Sequence, residues 1–443
     1  MSLIRELPVI MDEARERYSD LKSVSRKREI QSIFESKGIR ERMGTFVLGD
    51  NAEILEDGLR SGLYQGKFDM IYCDPPFFTR GDRGTRIPVK SEAVPEVRAV
   101  NLKAYHDRWN SGTGRYLTGL ALRLMLMRDA LKETGSIFLH LDWHAAHAVK
   151  LLMDEIFGEK NFINEIIWTY KSGGAAKRHL ARKHDTILFY AKNEQYKFYQ
   201  RKEKSYNRNL KPYYFKGVSE YEDEVGWYTL VNQKDVWSID MVGRSSSERL
   251  NYATQKPEAL IRRMIELVTD EGDLCGDFYC GSGTLASAAE KTGRRFVCVD
   301  ASPLALINAM KRPLRDGYGF LVQCNKGFGQ SCCRASAYQV RDRIILESFS
   351  GWQIADIINQ KDRSTIARIL EEDPFALIDY WCAGITTQDG VFHEVKTVFR
   401  DKKGHIEREM QSVQTNCNSI WVTDIFGQTA RAFIDGKPYG NTE

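Results

Sequence analysis

The chain has 443 residues, 42% of them hydrophobic and 11% aromatic, which is material for a sizeable core spread over two or three domains. Its formal net charge is only +4, so any affinity for nucleic acid must come from local patches and not from the charge of the whole molecule. The opening MSLIRELPVIMDEARERYSD lacks the apolar core of a secretion signal, and no segment reaches the ~18 uncharged apolar residues of a membrane span, so the chain reads as cytoplasmic with no membrane contact.

Residues 1–43 are charged, with helical spacing and few turn signals, and read as one or two surface helices. The pattern then changes to short apolar runs, TFVL at 45–48 and FDMIYC at 68–73, suited to strands buried on both faces, with the helical spacing of NAEILEDGLRSGL between them. A helix is predicted over Leu120 to Lys132, a strand over Ser136 to Leu141 and a further helix over Ala145 to Phe157, which together make a mostly parallel sheet with covering helices. From about Asn193 to Asn251 the composition turns aromatic and basic without clear periodicity. Regular alternation returns with a helix from Lys256 through Val268, the strand-like LCGDFYC, a helix from Thr284 to Lys291 and a strand ending at Asp300. Beyond about residue 330 the strands VFHEVKTVF and SIWVTDIF stand out, with short helices expected around Trp352 to Leu370.

No metal site is expected. The nine cysteines include no C-x-x-C, and the group His140, His144 and His147 spans a strand end and the helix after it, where a turn accounts for the spacing. Glu394 and Lys396 with Asp379 mimic part of a metal-dependent nuclease, but alternating charge on one strand face is ordinary.

Two motifs carry chemistry. At Asp277-Phe278-Tyr279-Cys280-Gly281-Ser282-Gly283-Thr284 a strand gives way to a helix, and the glycines allow a ligand to approach the backbone and the helix N-terminus. With Asp300 ending the next strand, the string also fits a dinucleotide fingerprint, so a nucleotide-dependent oxidoreductase is a competing reading. Against it, Asp277 places a carboxylate where a diphosphate would be repelled and where a ligand with a cationic amino group, such as S-adenosylmethionine, is suited. Upstream, Thr254-Gln255-Lys256-Pro257 opens a helix; Pro257 suits the first turn, whereas Lys256 is left open between a cofactor contact and no role.

The second motif is Asp74-Pro75-Pro76-Phe77, where the prolines force an apolar strand to stop rigidly. The exocyclic amine of a nucleobase is a poor nucleophile because its lone pair is delocalised. If Asp74 and the Pro75 carbonyl accept its two N–H groups, the lone pair is localised and aimed, while Phe77 stacks on a base extracted from the helix.

These motifs in this order resemble the DNA amino-methyltransferases of the beta arrangement, the N6-adenine/N4-cytosine group, in which the catalytic motif precedes the cofactor motif. The likeness runs from about Gly49 to Asp300 and includes DPPF, GSIFLHLD, NEIIWTYKSGG, HDTILFYAK, TQKPEALIRRMI and DFYCGSGT. It implies a Rossmann-like doubly wound, mostly parallel α/β sheet. It also implies S-adenosylmethionine as cofactor, held by Asp277, Phe278, Gly281, Ser282, Gly283 and Thr284 at the loop, by Asp300 at the ribose, with Lys256 nearby and Asp50 toward the adenine moiety. Asp rather than Ser at position 74 favours adenine N6 over cytosine N4 in that family. Phe77 stands where Tyr is commoner, and Asp300 is followed by Ala-Ser-Pro, which leaves the ribose contact less secure.

The resemblance divides the chain into an N-terminal helical segment (1–43), a catalytic half (44–192), a target-recognition insertion (193–250), a cofactor-binding half (251–329) and an accessory β-rich C-terminal domain (330–443). Contacts to double-stranded DNA are expected from Lys197, Arg201, Lys202, Lys204 and Arg208, basic residues interleaved with aromatics, and from Arg80, Arg83 and Arg86 in a loop after DPPF. The expected partners are DNA and, for such an enzyme, a second copy of itself or a restriction nuclease. The rival readings are a cytosine-N4 methyltransferase, the oxidoreductase and a non-catalytic DNA-binding subunit.

Overall fold

The computed structural model describes residues 3–23, 29–38, 44–78, 81–106, 112–171, 177–243, 246–250, 252–325, 333–350, 358, 362–411 and 417–435. Six neighbouring parallel strands form its centre, in the spatial order Leu131–Leu141, Phe68–Cys73, Leu274–Asp277, Arg295–Asp300, Gly44–Leu48 and Phe320–Asn325. Phe68–Cys73 is buried at every position, as a strand covered on both faces must be. Helices Leu3–Ser23, Asn51–Arg60, Gly112–Ala130 and Ala146–Phe157 pack their apolar stripes on one face, and Glu258–Val268, Thr284–Lys291 and Pro303–Asp316 on the other. The sheet is therefore doubly wound, as expected. None of the described helices is long and apolar enough to cross a membrane.

The two halves meet inside the sheet. Phe68–Cys73 pairs directly with Leu274–Asp277, with Tyr72 opposite Asp277, so two segments some 200 positions apart end side by side. The carboxyl ends of these strands face one side, where open α/β sheets bind their ligands.

Several elements differ from the sequence reading. Residues 1–43 are helical only over Leu3–Ser23; Ile30–Ser36 is a strand, antiparallel to Phe320–Asn325 and parallel to Phe392–Phe399. Its buried Phe34 packs against Phe320, Phe392 and Trp421, and the charged neighbours in EIQSIFES mask that inward alternation. Leu131 and Lys132 belong to a strand instead of the preceding helix. What reads as a loop after DPPF is a hairpin, Asp82–Pro88 with Ala99–His106. The 193–250 segment contains a three-stranded sheet of Lys202–Tyr206, Glu220–Glu222 and Trp227–Asn232, while Val236–Ser238 joins the edge of the large sheet. At the other edge Phe392–Phe399, Ile378–Thr386, Ser419–Asp424 and Thr429–Phe433 continue the same sheet. Of the short helices expected around 352–370, the described one is Arg363–Glu372, and residues 351–357 and 359–361 lie outside the described residues.

Candidate active site

Asp74 and Asp277 follow or end adjacent parallel strands and line one cavity of about 780 Å³, together with Pro75, Pro76, Phe77, Lys256, Gly281, Ser282, Thr284 and Asp300. Tyr72, Tyr252 and Tyr279 complete much of its wall. Directly after the prolines the chain turns through Phe78 at φ 62°, a left-handed conformation that costs a non-glycine residue of the order of 1 kcal/mol, and the Phe78 ring stacks on Tyr116 at 5.5 Å. That stacking anchors the far side of the turn.

Lys256, whose role the sequence left open, lines this cavity. Its Nζ donates to Asp74 Oδ2 at 2.5 Å and lies 5.1 Å from the centre of the Phe77 ring, so it serves the Asp74 side of the cavity. Its own carbonyl accepts from the Thr284 hydroxyl at 3.1 Å, tying the TQKP turn to the glycine loop. Gln255 folds that turn, accepting from Leu250 N and donating to Glu248 O.

Asp277 is 2% exposed, and its charge is relieved by one backbone donor, Tyr279 N at 3.0 Å. Burial pushes its carboxyl well above the usual carboxylate range, and repulsion from Asp74 and Asp300 adds to this against the opposing pull of Lys256. A buried carboxylate so placed on a cavity wall is a seat for a cation. Asp300 takes Gly281 N at 2.9 Å on one oxygen and Ser302 N at 2.9 Å on the other, and the Ala301 N–H bonds it as well. Burial raises its pKa as well.

The glycines divide their work. Gly281 stands at φ 48° with its N–H on Asp300, at the cavity wall. Gly283, at φ 70°, is excluded from carrying a side chain by Ala309, whose Cβ would lie 2.5 Å from its own; it serves helix packing and does not line the cavity. Phe278 likewise points away: its ring is fully buried against Tyr64 and Phe68, and what it offers the site is a backbone carbonyl that accepts from Asn51 Nδ2.

Asp50 lies in a second cavity of about 590 Å³, which shares Pro75, Pro76, Tyr279 and Asp300 with the first. One of its oxygens caps helix Asn51–Arg60 through Ala52 N and Glu53 N, and the other accepts from Arg123 at 2.8 Å. Sequence reasoning missed Arg123, although a lone cation amid LALRLMLM was a visible signal.

Behind Phe77, His140 is fully buried and stacks on its ring at 5.9 Å and 23°. Its Nδ1 is 2.9 Å from the Tyr72 hydroxyl and its Nε2 is 3.2 Å from Asp185, which also accepts from Tyr170. Burial, aided by Lys256, lowers the His140 pKa. The three histidines do not converge: His144 pairs with Asp142, and His147 is exposed. Nor do Asp379, Glu394 and Lys396, which are engaged by Lys311, by Ser36 and Thr397, and by the Gln411 carbonyl. No group of described residues has the make-up of a metal site.

The structure does not bring the expected DNA contacts of the insertion to the cavity. Lys197 is held by Asp69, Asp270 and Asp273, at the amino ends of the strands whose carboxyl ends carry the site, roughly 17 Å of strand away at about 3.3 Å per residue. Arg201 donates twice to the Glu266 carbonyl, Lys202 to Asn232 and Lys204 to Asp223. Arg208 lies in a short turn of the insertion. Lys197, Arg201, Lys202 and Lys204 thus satisfy intramolecular acceptors, a destination that composition does not reveal. Arg83 and Arg86 are on the hairpin, and Arg80 lies outside the described residues.

Comparison with known proteins agrees with this geometry. The EcoP15I Mod subunit of a type III restriction-modification enzyme from Escherichia coli is 28% identical over 34% of this chain, though the match spans only 24% of that protein. The type II methyltransferase M2.DpnII from Streptococcus pneumoniae is 26% identical over 55% of this chain and 81% of its own length. Among solved structures, the cytosine-N4-specific PvuII DNA methyltransferase aligns over 61% of this chain and 86% of its own at 14% identity, with a TM-score of 0.41. Residues 68–311, more than half of the chain and the stretch that holds both Asp74 and Asp277, match the N6/N4 methyltransferase model described as DNA methylase, and the chain belongs to that family.

Proposed function

We propose that this chain transfers a methyl group from S-adenosylmethionine to N6 of an adenine flipped out of duplex DNA. The observation that carries the reading is the pair of carboxylates, Asp74 and Asp277, presented to one cavity by adjacent strands. The residues fit the cofactor: Asp277 is a buried carboxyl whose ionised form a cationic amino group would hold, Asp300 presents a carboxyl at the wall to ribose hydroxyls, and Gly281 keeps the wall between them bare. When bound, S-adenosylmethionine supplies an electrophilic methyl group.

The chain's own residues do the rest. Asp74 and the Pro75 carbonyl accept the N–H groups of the target amine, which localises its lone pair. Phe77, backed by His140, offers a fixed ring face on which the extracted base stacks, offsetting part of an unstacking cost of a few kcal/mol. Lys256 is paired with Asp74 and must share or release it for the amine to bind. An Asp at the head of the catalytic motif supports adenine as the base.

The test is incubation of purified protein with mixed-sequence duplex DNA and S-adenosylmethionine, followed by mass spectrometry of the digested nucleosides. N6-methyladenine is the expected product. N4-methylcytosine would keep the mechanism and correct the base, and no methylated nucleoside at all would overturn the reading. Asp74→Ala should lower the rate by at least about 100-fold, the scale on which a positioned polar group acts, with cofactor affinity retained.

A further inference from the structure

Four cations of the insertion, Lys197, Arg201, Lys202 and Lys204, are engaged by intramolecular acceptors, so the negative backbone of a nucleic acid is met by other residues. Beside the catalytic cavity, and sharing Tyr252, Ala253 and Thr254 with it, lies a separate cleft of about 1140 Å³ between the Asp82–Pro88 hairpin strand and residues that include Met241, Val242 and Arg249. Arg86, Arg98 and Arg249 line it, all three exposed, and no carboxylate does among its lining residues. In a chain whose acidic and basic residues nearly balance, 60 against 64, Arg86 and Arg98 meeting in a cleft with no carboxylate in its lining suits an external anion.

The cleft continues. Pro88 and Arg249 also line a third cavity of about 1170 Å³, closed on its far side by helix Pro303–Asp316 and by the C-terminal strands, where Arg315 and Lys402 are exposed. There the buried Asp379 is answered by Lys311 and Arg400, and the exposed Asp401, which accepts from the backbone of Lys403 and His405, stands beside Lys402. A run of cations thus leads from the mouth of the catalytic cavity, over the hairpin, to a region beyond the 68–311 stretch that the family shares.

We propose that this cleft seats the phosphate backbone of the duplex flanking the extracted nucleotide, with Arg86 and Arg98 as its counter-charges and with Arg315 of helix Pro303–Asp316 and Lys402, in the turn after strand Phe392–Phe399, extending the track. The proposal rests on the reading of the chain as a DNA methyltransferase. Its chemistry is counterion release: each phosphate neutralised adds about 0.9 to the slope of log affinity against log salt.

The experiment is fluorescence anisotropy of the full chain with a labelled mixed-sequence duplex over a salt series. Arg86→Gln and Arg98→Gln should each weaken binding irrespective of sequence and reduce the slope by about 0.9, and the double variant by about twice that. Lys202→Gln and Lys204→Gln, on the insertion, should leave the slope unchanged. All four side chains are exposed, so the folds should survive, and an unshifted melting temperature checks that. Wild-type binding with the slope unaltered in the Arg86 and Arg98 variants, or reduced in the Lys202 and Lys204 variants instead, would overturn the track while leaving the enzymatic reading intact. Wild-type protein with no salt-dependent affinity for DNA would overturn both.

Discussion

Asp277 is the residue whose environment makes the sharpest demand. It is buried on the wall of a cavity, has one backbone donor, and sits near two further carboxylates, so that its proton is retained well above the usual range. A ligand ammonium at that position pairs with the ionised form and must expel the proton. Cofactor affinity should therefore rise with pH from acid toward neutral, and calorimetry in two buffers of different ionisation enthalpy should show proton release on binding. Asp277→Asn should abolish that release and weaken binding about 10- to 100-fold, the loss of one charge-assisted hydrogen bond. Identical enthalpies in the two buffers would take the ammonium away from Asp277. The motif showed Asp277 because strand, glycines and carboxylate are contiguous; it could not show Lys256 on Asp74, since those residues are 182 positions apart and nothing local records a pairing at that range.

Among the elements, helix Thr284–Lys291 carries the glycine loop at its head and an unusual burden at its tail. Glu290 is 1% exposed, neither carboxylate oxygen has a hydrogen-bond partner, and burial raises its pKa to about 9, with Asp316 adding repulsion and Lys291 opposing. In the unfolded chain the same group titrates near the ordinary glutamate value of 4.5. Between those two values the folded state holds a proton that the unfolded state has lost, so its contribution is fully present below the lower value. Above it, stability falls with rising pH, by up to about 1.4 kcal/mol per unit. Glu290→Gln should flatten that slope, leaving the melting temperature near pH 4 little changed and raising it near pH 8; equal shifts at both would show that Glu290 does not titrate in this range. The alternation of strands and helices placed this helix from sequence over the same bounds, Thr284 to Lys291. By contrast Ile30–Ser36 was read within a helical segment, because its partners Phe320, Phe392 and Trp421 supply the reason for a strand and none of them is a neighbour in sequence.

At the scale of the molecule, the C-terminal strands are bound into the same sheet as the catalytic ones. Phe392–Phe399 pairs with Ile30–Ser36, which pairs in turn with Phe320–Asn325 at the edge of the six parallel strands. A buried ion pair, Lys311 with Asp379, crosses from helix Pro303–Asp316 to strand Ile378–Thr386. The composition shift near residue 330 reads as a domain boundary, yet hydrogen bonding and core packing pass through it: Phe34, Phe320, Tyr380, Phe392 and Trp421 belong to one cluster with the cofactor-side helices. Removing residues 330–443 should strip a strand partner from Ile30–Ser36, expose that edge to association with other chains, and leave Lys311 buried without its carboxylate, which typically costs about 3–5 kcal/mol. The truncated chain should therefore aggregate or unfold well below the intact one, and the intact chain should melt in a single cooperative transition by calorimetry. A soluble truncated chain with its own sharp melt, or two separate transitions in the intact protein, would show instead that the shared sheet is a contact between independent domains, and the phosphate track would then cross a joint that can open.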